Sequence, residues 1–321
     1  MTCVAVTGAA GYIGRVLLPR LEAFPTVERI VALDQKPPPG SMATRKTLFF
    51  QQDVRTPNLE TLLREHRCTT LIHLAFIVQA LHDVRTMYEI NVHGSAHVFR
   101  SAARAGVHHI INMSSYTVYG ARPDNPIPLT EEAPLRPNRG HHYAHHKVAV
   151  ERIGNQIASL HPQLCITHLR GAVVVGPRCT NSLGKALRGA PFLPVFWRSP
   201  SHLQLIHEDD LVEAILAAYR HPVSGPFNVG GRGGLPWGEI VRLAGRRGIP
   251  LPAPVWTSII GLGWYLHLPG TSSPGELGLL RYPLEVDWRK AQRTWGWEPQ
   301  YTTAQAVHSL VHGNERETEK R

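Results

Sequence analysis

The sequence predicts an α/β fold, in which a doubly wound parallel sheet is followed by a smaller C-terminal lobe. Two observations predict this fold class. A short apolar strand near the N-terminus leads through spaced glycines into a helical pattern, and strand and helix patterns then alternate as far as about residue 170. Such alternation is typical of a parallel sheet with helices on both faces. The chain of 321 residues, 43% of them hydrophobic, is long enough for such a core and a second domain.

The glycines that follow the first strand predict a dinucleotide site. Gly8, Gly11 and Gly14 separate the apolar run from the helical pattern, with Tyr12 and Ile13 directly before the last glycine. In such a motif the first glycine allows the turn, the second lets the backbone approach a pyrophosphate, and the third lets the helix pack on the strand. An ordinary strand-to-helix turn is the alternative, so the motif needs a second feature to support it.

That second feature is an acidic residue at the end of the next strand. The apolar run at 29–33 ends in Asp34, twenty residues beyond Gly14. A carboxylate there can accept hydrogen bonds from both ribose hydroxyls of an adenosine. It would repel a 2′-phosphate, and no arginine directly follows it, so the sequence predicts NAD rather than NADP. The alternative is an aspartate that only caps a helix or sits in a loop.

The remaining elements follow in chain order. A third strand at 47–51 is closed by Asp53 and Val54, where an adenine ring could be met. Next come a helix at 59–67, an apolar strand at 71–75 and a long helical stretch for which Gly106 is a suitable C-cap. A strand at 107–113 and, after a proline-rich loop, a helix from 143 to about 160 complete the pattern.

Hydroxyl groups and a tyrosine–lysine pair predict an acid/base site. The strand at 107–113 runs into Ser115 and Thr117, at the end of a parallel sheet where ligands bind. Tyr143 and Lys147 are four residues apart and therefore share a helix face. A neighbouring ammonium group, helped by an oxidised nicotinamide, should lower the pKa of Tyr143 from about 10 toward working pH. A surface pair at this spacing is the alternative.

Together these motifs resemble the extended short-chain dehydrogenase/reductase family, also called the NAD-dependent epimerase/dehydratase family. The similarity is ordered along nearly the whole chain. It rests on the glycines at 7–14, Asp34, Asp53-Val54, His73-Leu74-Ala75, Asn91, Ser115 to Gly120, Tyr143-x-x-x-Lys147, Leu169-Arg170, Ile206-His207, Phe227-Asn228 and Gly296-Trp297. The resemblance implies a Rossmann-type NAD-binding domain and a C-terminal lobe that binds a small-molecule substrate.

The resemblance also implies the roles of individual residues. Tyr143 takes a proton from a substrate hydroxyl while hydride leaves for the nicotinamide, Ser115 hydrogen-bonds the developing oxyanion with Thr117 as a second hydroxyl, and Lys147 holds the nicotinamide ribose. The residues implied to bind NAD are Gly8, Gly11, Tyr12, Ile13, Gly14, Asp34, Asp53, Val54, Leu74, Ala75, Asn91, Tyr143 and Lys147. A homodimer formed through helices at about 81–105 and 141–160 is implied by analogy.

The sequence departs from the family pattern at the residues that would contact the substrate. Val173, Leu203 and Ser273 or its neighbours stand where nucleotide-sugar members carry an asparagine and two arginines. Nearby arginines could substitute for the lost contacts, namely Arg178, Arg188, Arg198 and Arg281. The segment 251–268 is unusually apolar, which predicts either an apolar pocket or, as the alternative, a core helix or dimer surface. Tyr116-Thr117 replaces the Asp-Glu pair of the family's sugar dehydratases, which argues against dehydration.

Three functions therefore remain open. The first is an epimerase acting on a sugar or nucleotide sugar, because the overall pattern is closest to that group. The second is a dehydrogenase or reductase for a less polar hydroxy or keto compound, similar to hydroxysteroid or flavanone-type members. The third is a protein that senses NAD without catalysis, which the presence of Ser115, Tyr143 and Lys147 disfavours.

Composition excludes several other classes. The formal charge of +10 comes from scattered arginines without a basic run, so no nucleic-acid partner is predicted. No apolar run reaches the roughly eighteen residues of a membrane span, so no membrane partner and a cytoplasmic location are predicted. The four cysteines are interpreted as buried thiols, and the histidines at 141, 142, 145 and 146 are not expected to bind metal. Asp209 or Asp210 is expected to cap a helix.

The domain boundaries follow from these assignments. Residues 1–170 are predicted to form the NAD-binding domain, to which 203–230 returns. Residues 171–202 and 231–312 are predicted to form the substrate-binding lobe. The charged residues 313–321 are predicted to be a disordered tail.

Overall fold

The structure, a computed structural model, describes residues 2–37, 44–268 and 271–313. Its strands are β1 Thr2–Thr7, β2 Val27–Asp34, β3 Thr47–Gln51, β4 Cys68–His73, β5 His109–Met113, β6 Cys165–Gly171, β7 Val173–Val175, β8 Phe192–Phe196, β9 His202–Leu203, β10 Leu205–His207, β11 Gly225–Val229, β12 Leu235–Pro236 and β13 Arg247–Leu251. Its α-helices are α1 Tyr12–Glu22, α2 Leu59–Glu65, α3 Val84–Tyr88, α4 Ser95–Ala105, α5 His142–Leu160, α6 Ser182–Gly189, α7 Glu208–Arg220, α8 Trp237–Leu243, α9 Ala253–Tyr265, α10 Pro274–Leu277, α11 Arg289–Trp295 and α12 Thr303–His312.

A seven-stranded sheet in the order β11-β6-β5-β4-β1-β2-β3 confirms the predicted fold class. Strand β1 pairs in parallel with both β2 and β4, so the chain builds outward from β1 in two directions. The pairing continues in parallel from β2 to β3 and from β4 through β5 to β6. The reversal of strand order lies between β1 and β4, which is where such sheets bind their ligands.

The chain divides into two compact units by its internal contacts. As far as its residues are described, the first comprises Met1–Ser114, His146–Leu169 and Val212–Phe227, and the second comprises Ser115–His145, Arg170–Leu211 and Asn228–Arg321. In the first unit, helices α2, α4 and α5 cover one face of the sheet with an apolar core. That core includes Leu59, Leu63, Val98, Phe99 and Val150.

This division differs from the predicted boundaries. Residues 115–145 belong to the second unit, and only 212–227 return to the first. The physical reason is backbone pairing after β5. The amide of Leu129 donates to the carbonyl of Glu285, and the carbonyl of Leu129 accepts from the side chain of Asn228. These bonds tie the proline-rich loop to the C-terminal half of the chain.

Helix boundaries follow the sequence patterns closely, with one difference. Gly106 ends α4 in the left-handed conformation with φ of 81°, as predicted for a C-cap. The stretch before α4 is not one α-helix, because Glu89–Gly94 forms a π-helical segment between α3 and α4. Such segments are rare and occur mostly near functional sites. Here the segment contains Asn91, which is completely buried.

The second unit consists of small strand pairs and short helices. Strands β8 and β13 form a parallel pair, and α9 packs on it through Trp256, which contacts Phe196 and Leu277. Strand β7 pairs with β10, and β9 pairs with β12.

The predicted helix cap at α7 is wrong. The helix begins at Glu208, and the amide of Asp209 donates to Nδ1 of His207. Asp210 instead accepts hydrogen bonds from the backbone amides of Gln300 (3.0 Å) and Tyr301 (3.0 Å). Its carboxylate therefore holds the segment before α12, a long-range contact that local sequence could not indicate. Burial raises the pKa of Asp210 to about 6.

All four cysteines are free thiols, with Cys3, Cys68 and Cys179 buried and Cys165 partly so, as interpreted from sequence. Across residues 2–37, 44–268 and 271–313, no helix is both long and apolar enough to cross a bilayer. In the same ranges no three His, Cys, Asp or Glu side chains are arranged as metal ligands. The predicted tail lies, beyond Gly313, outside the described residues.

Candidate active site

The glycine turn after β1 is shaped by close backbone contacts. Gly8 has a φ of +72°, and a Cβ added there would lie 2.6 Å from the backbone nitrogen of Ala75. The amide of Gly11 closes the turn by donating to the carbonyl of Gly8 (3.0 Å). A Cβ on Gly14 would lie 2.4 Å from the carbonyl oxygen of Ala9. A side chain at Gly8 would therefore push the end of β1 away from the end of β4. A side chain at Gly14 would push the start of α1 away from the turn.

Asp34 lies beside this turn at the end of β2. One carboxylate oxygen accepts from the amide of Ala10 (3.0 Å) and the other from the amide of Lys36 (3.1 Å). Because each carboxylate oxygen has two acceptor positions, both oxygens keep capacity for a hydroxyl donor. The side chain is thus oriented by the turn that carries the glycines.

Asp53 and Val54 follow β3 in the same unit. The carboxylate of Asp53 pairs with the guanidinium of Arg55 (2.7 Å) and accepts from Gln35. The hydrogen bond from Arg55 lowers the pKa of Asp53. Val54 accepts from His97 through its carbonyl (2.8 Å).

The chain after β4 is held by Asn91 in the π-helical segment. Its side-chain oxygen accepts from the amide of Ile77 (2.7 Å), and its side-chain nitrogen donates to the carbonyl of Ile77 (3.0 Å). Leu74 and Ala75 precede this clamp, and their amides donate to the backbone and the hydroxyl of Thr7. Asn91 therefore positions the loop that contains two of the residues implied to bind NAD.

A buried chain of hydrogen bonds beneath this loop was not predicted from sequence. Nδ1 of His73 contacts the hydroxyl of Thr7 (2.7 Å), and Nε2 contacts the hydroxyl of Ser95 (2.8 Å). Ser95 donates in turn to the carbonyl of Asn91 (2.6 Å). Burial, with the positive charge of Lys147, lowers the pKa of His73 to about 3, so this histidine is neutral. A histidine at the end of an apolar strand was the only signal for it.

In the second unit, three of the four residues implied to be catalytic meet directly. The hydroxyl of Thr117 donates to Oγ of Ser115 (3.0 Å), and the amide of Thr117 donates to the same oxygen (3.2 Å). Ser115 is also hydrogen-bonded to the phenol of Tyr143. The backbone brings them together because Ser115 is the N-cap of the 3₁₀ turn at Tyr116–Tyr119 and Tyr143 lies in the first turn of α5.

The predicted direction of the Tyr143 pKa shift is not what this environment gives. Burial raises the pKa of Tyr143 to about 12, and the hydrogen bond from Ser115 opposes that rise only in part. The desolvation of a phenolate thus outweighs the neighbouring hydrogen bond. A positive charge in addition to those of the protein is needed to lower the pKa of this phenol toward working pH.

Lys147 lies one turn after Tyr143 on α5 and belongs to the first unit. It is buried, with Nζ donating to the carbonyl of Met113 (2.6 Å) and lying 3.4 Å from the ring centre of Phe76. Burial lowers its pKa to about 7, although the negative charge of Glu151 opposes the shift. An ammonium group that titrates near neutrality is poised to respond to a bound ligand.

Comparison with known proteins identifies the group to which this arrangement belongs. A model of the NAD dependent epimerase/dehydratase family matches residues 4–230. The chain belongs to this family. It is therefore an NAD-dependent enzyme of the extended short-chain dehydrogenase/reductase type.

Individual members of the family are similar over most of their length. An uncharacterized protein of Mycobacterium bovis is 28% identical over 320 residues, which cover 97% of this chain and 83% of that protein. The UDP-glucose 4-epimerase of Mycolicibacterium smegmatis is 28% identical over 324 residues, which cover 95% and 96%. The solved structure of UDP-glucose 4-epimerase from Thermotoga maritima with UDP-glucose has a TM-score of 0.78 at 21% identity, covering 99% and 100%. MoeE5 in complex with UDP-glucuronic acid and NAD has a TM-score of 0.77 at 22% identity, covering 98% and 99%.

The first unit fits the cofactor of this family. The glycines keep the turn after β1 close-packed and without side chains, and Gly11 is the N-cap of α1 with no capping side chain, as at helix N-termini that bind anions. Asp34 offers a carboxylate next to that turn. These residues would hold the pyrophosphate and the adenosine ribose of NAD.

Leu203 and Val173, which were predicted to replace nucleotide contacts of the family, are apolar. Leu203 is 3% exposed in the core of the second unit, and Val173 is paired to Leu205 in a small sheet. Of the arginines suggested as substitutes, Arg178 pairs with Glu208 (3.1 Å), and Arg188 donates to backbone carbonyls. Arg281 lines a cavity of about 380 Å³ in the second unit.

We expect Gly8→Ala to abolish NAD binding and to destabilise the fold by roughly 3 kcal/mol or more. The added methyl group would meet the backbone of Ala75 in addition to the unfavourable positive φ. Gly106→Ala is the matched control, because Gly106 has a φ of +81° and nothing within 4 Å of an added Cβ. The control should cost only about 1 kcal/mol. If Gly8→Ala and Gly106→Ala lower the melting temperature equally, the close approach of Gly8 to the backbone of Ala75 is contradicted.

Proposed function

We propose that this enzyme uses NAD to oxidise a secondary alcohol of a nucleotide-linked sugar and returns the hydride to the other face, as an epimerase. The observation that supports this substrate class is the cavity in the second unit. Three arginines line it, Arg122, Arg139 and Arg281, together with Asn138 and Tyr282. Clustered guanidinium groups bind phosphate oxygens in bidentate fashion, which suits a diphosphate.

The cavity wall is built rigidly from the backbone. Asn138 accepts from the amide of Ala121 (2.8 Å) and donates to its carbonyl (3.1 Å). The guanidinium of Arg122 is itself held by the wall, because Nε (3.2 Å) and Nη2 (3.1 Å) donate to the carbonyl of Arg136 and Nη2 also donates to that of Pro137 (3.0 Å). Arg139 and Arg281 are therefore the arginines proposed to bind the phosphates. A preorganised wall reduces the entropy lost when an anion binds.

The wall continues directly into the helix that carries the acid/base residue. Arg139 and Asn138 precede the first turn of α5, in which Tyr143 lies. A Cβ on Gly275 would lie 2.2 Å from the carbonyl carbon of Gly140, so the two wall segments approach at backbone distance. The arginines, Ser115, Thr117 and Tyr143 all belong to the second unit. This placement supports one substrate that reaches both the arginines and the phenol.

The proposed chemistry assigns one task to each side chain. Bound NAD supplies the hydride acceptor and donor. Tyr143 exchanges a proton with the substrate hydroxyl, and Ser115, oriented by Thr117, hydrogen-bonds the oxygen of the intermediate ketone. Lys147 supplies a positive charge one turn from the phenol and holds the cofactor ribose. The pKa of about 12 for Tyr143 fits a phenol that is protonated until a positively charged cofactor is bound.

Replacing Arg139 and Arg281 by alanine tests the substrate class. We expect the double variant to bind UDP at least about 100-fold more weakly in the presence of NAD, because each charged hydrogen bond to phosphate contributes about 1.5–3 kcal/mol. Isothermal titration with UDP and with dTDP measures the effect, and NAD affinity should not change. Arg104→Ala removes an exposed arginine of the first unit and is the control. Unchanged UDP affinity in the double variant, or no UDP binding by the wild type, would refute a nucleotide handle in this cavity.

The second candidate function is oxidation or reduction of a less polar hydroxy or keto compound. Leu203 and Val173 at two family substrate positions favour it, since neither side chain can bind phosphate. The two functions differ in their cofactor balance. An epimerase returns the hydride, so the NADH detected at 340 nm never exceeds about the concentration of the enzyme. A dehydrogenase instead accumulates NADH with each turnover.

Two further properties remain proposals, the first implied by the family resemblance and the second predicted from the lengths of the apolar runs. They are a homodimer formed through the helices at about 81–105 and 141–160, and a cytoplasmic location. Light scattering coupled to size exclusion measures the first, and fractionation of cells measures the second.

A further inference from the structure

The second unit exposes an apolar face on α9 that its own core does not use. Val255, Ile259, Leu262 and Leu266 are spaced four, three and four residues apart and therefore lie along one side of the helix and its C-terminal extension. We call these four residues the apolar stripe. All four are exposed, Leu262 to 59%. Monomeric proteins rarely leave a contiguous apolar surface of this kind without a partner.

The opposite side of α9 is already buried. Trp256 and Ile260 pack against Phe196, Ile249 and Leu251 of the β8–β13 pair. The helix is thus apolar on both sides, a pattern expected of a fully buried helix. The buried side fixes the orientation of α9, so the apolar stripe is presented outward by a rigid support.

Aromatic and basic side chains lie at both ends of the β8–β13 pair, on which α9 packs. Trp197, directly after β8, is 61% exposed, and the guanidinium of Arg198 lies 5.1 Å from its ring centre. At the other end, exposed Phe192 is in register with Arg247. Residues four apart on a strand share a face, so Phe192 points to the same side as Phe196, which contacts α9. Such a border of tryptophan, phenylalanine and arginine is typical of proteins that lie in a membrane interface.

The charge of the flanking segments decides between possible partners. Residues 178–207 and 240–275 contain no Asp or Glu. Of their basic residues, Arg178 pairs with Glu208 and Arg242 with Glu239, which lie just outside these ranges. The charge of this region is therefore supplied by Lys185, Arg188, Arg198, Arg246 and Arg247. In a twofold interface the same surface faces itself, so these cations would oppose one another. An anionic lipid surface instead complements them.

We propose that the apolar stripe and its basic border bind the surface of an anionic lipid bilayer, with α9 lying in the interface. The expectation from sequence, that no membrane is a partner, rested on the length of apolar runs. That criterion detects helices that span a bilayer, whereas a helix that lies in the interface needs only one apolar face. The enzyme would then work at a membrane surface while its sheet stays in water.

The test is co-flotation of the full-length protein with phosphatidylcholine vesicles prepared with and without phosphatidylglycerol. We expect binding to the anionic vesicles and at least about tenfold weaker binding to neutral ones. Leu262→Ser should reduce partition to anionic vesicles by about tenfold. Leu160→Ser is the matched control, since Leu160 is 70% exposed at the end of α5 and outside the stripe. Arg198→Glu with Arg247→Glu should reduce partition by a similar factor and remove its dependence on salt.

Each variant is first shown to retain the thermal shift caused by NAD, so that a folding defect is recognised. The proposal is overturned if wild-type protein floats with neither vesicle, or if Leu160→Ser and Leu262→Ser lose partition equally. It is also overturned if the wild type is a dimer in solution that Leu262→Ser converts to a monomer, because the stripe would then be covered by a second copy.

Discussion

Replacing Tyr143 by phenylalanine is expected to lower kcat by about a thousandfold and to leave the affinity for NAD nearly unchanged. The substitution removes one hydroxyl group, which is hydrogen-bonded to Ser115, and keeps the aromatic ring in its buried position in α5. Proton transfer by a positioned side chain contributes about 10²–10⁴ in rate. Among the described hydrogen bonds of Ser115, Thr117 and Tyr143, no other phenol takes part. The loss should therefore appear in the chemical step rather than in binding.

The measurement combines turnover of UDP-glucose at saturating substrate with the thermal shift caused by NAD. Tyr219→Phe is the control, because Tyr219 packs against Phe24 within the first unit and loses the same hydroxyl. Turnover at the wild-type rate in Tyr143→Phe would remove Tyr143 from the reaction. A wild type that binds NAD but turns over no nucleotide sugar and no apolar alcohol would support the NAD-sensing alternative.

Local sequence predicted the parts of the site that depend on neighbours in the chain. The glycine turn, Asp34 at the end of β2 and the first turn of α5 are each specified within a few residues, and the structure places them in those elements. The fold class followed from the alternation of strand and helix patterns. These features were accessible because hydrophobic periodicity and turn chemistry are local properties of a sequence.

The features that sequence missed all depend on residues far apart in the chain. His73 meets Thr7 and Ser95 only because β1 and β4 are neighbours in the sheet. The arginine-lined cavity joins 121–139 to 274–282, which no spacing rule connects. The burial that raises the pKa of Tyr143 in the protein without cofactor was likewise not apparent from the spacing of Tyr143 and Lys147.

Replacing Lys147 by methionine is expected to lower activity by about 100-fold or more while raising the stability of the folded protein near neutral pH. Methionine keeps the length and apolar stem of the side chain and removes the charge that burial disfavours. The pKa of Lys147 is about 7 in the folded protein, against the ordinary value of 10.5. Between these two pH values the unfolded chain binds a proton at this lysine that the folded protein does not.

The sign of the pH dependence follows from that difference. Stability rises with pH wherever the unfolded state binds more protons, so the wild type should gain stability relative to Lys147→Met as pH rises. The gain in the free energy of unfolding from about pH 7 to about pH 9.5 is roughly 3 kcal/mol. The hydrogen bond to Met113 that the variant loses adds the same amount at every pH and so does not change this gain. Denaturant titrations of both proteins at these pH values measure it. Lys185→Met removes an exposed lysine of α6 and is the control. The difference in unfolding free energy between wild type and Lys185→Met should stay the same at these pH values. If the stability difference between wild type and Lys147→Met is independent of pH, the pKa of Lys147 is not lowered in the folded protein and Lys147 is not a destabilised buried ammonium.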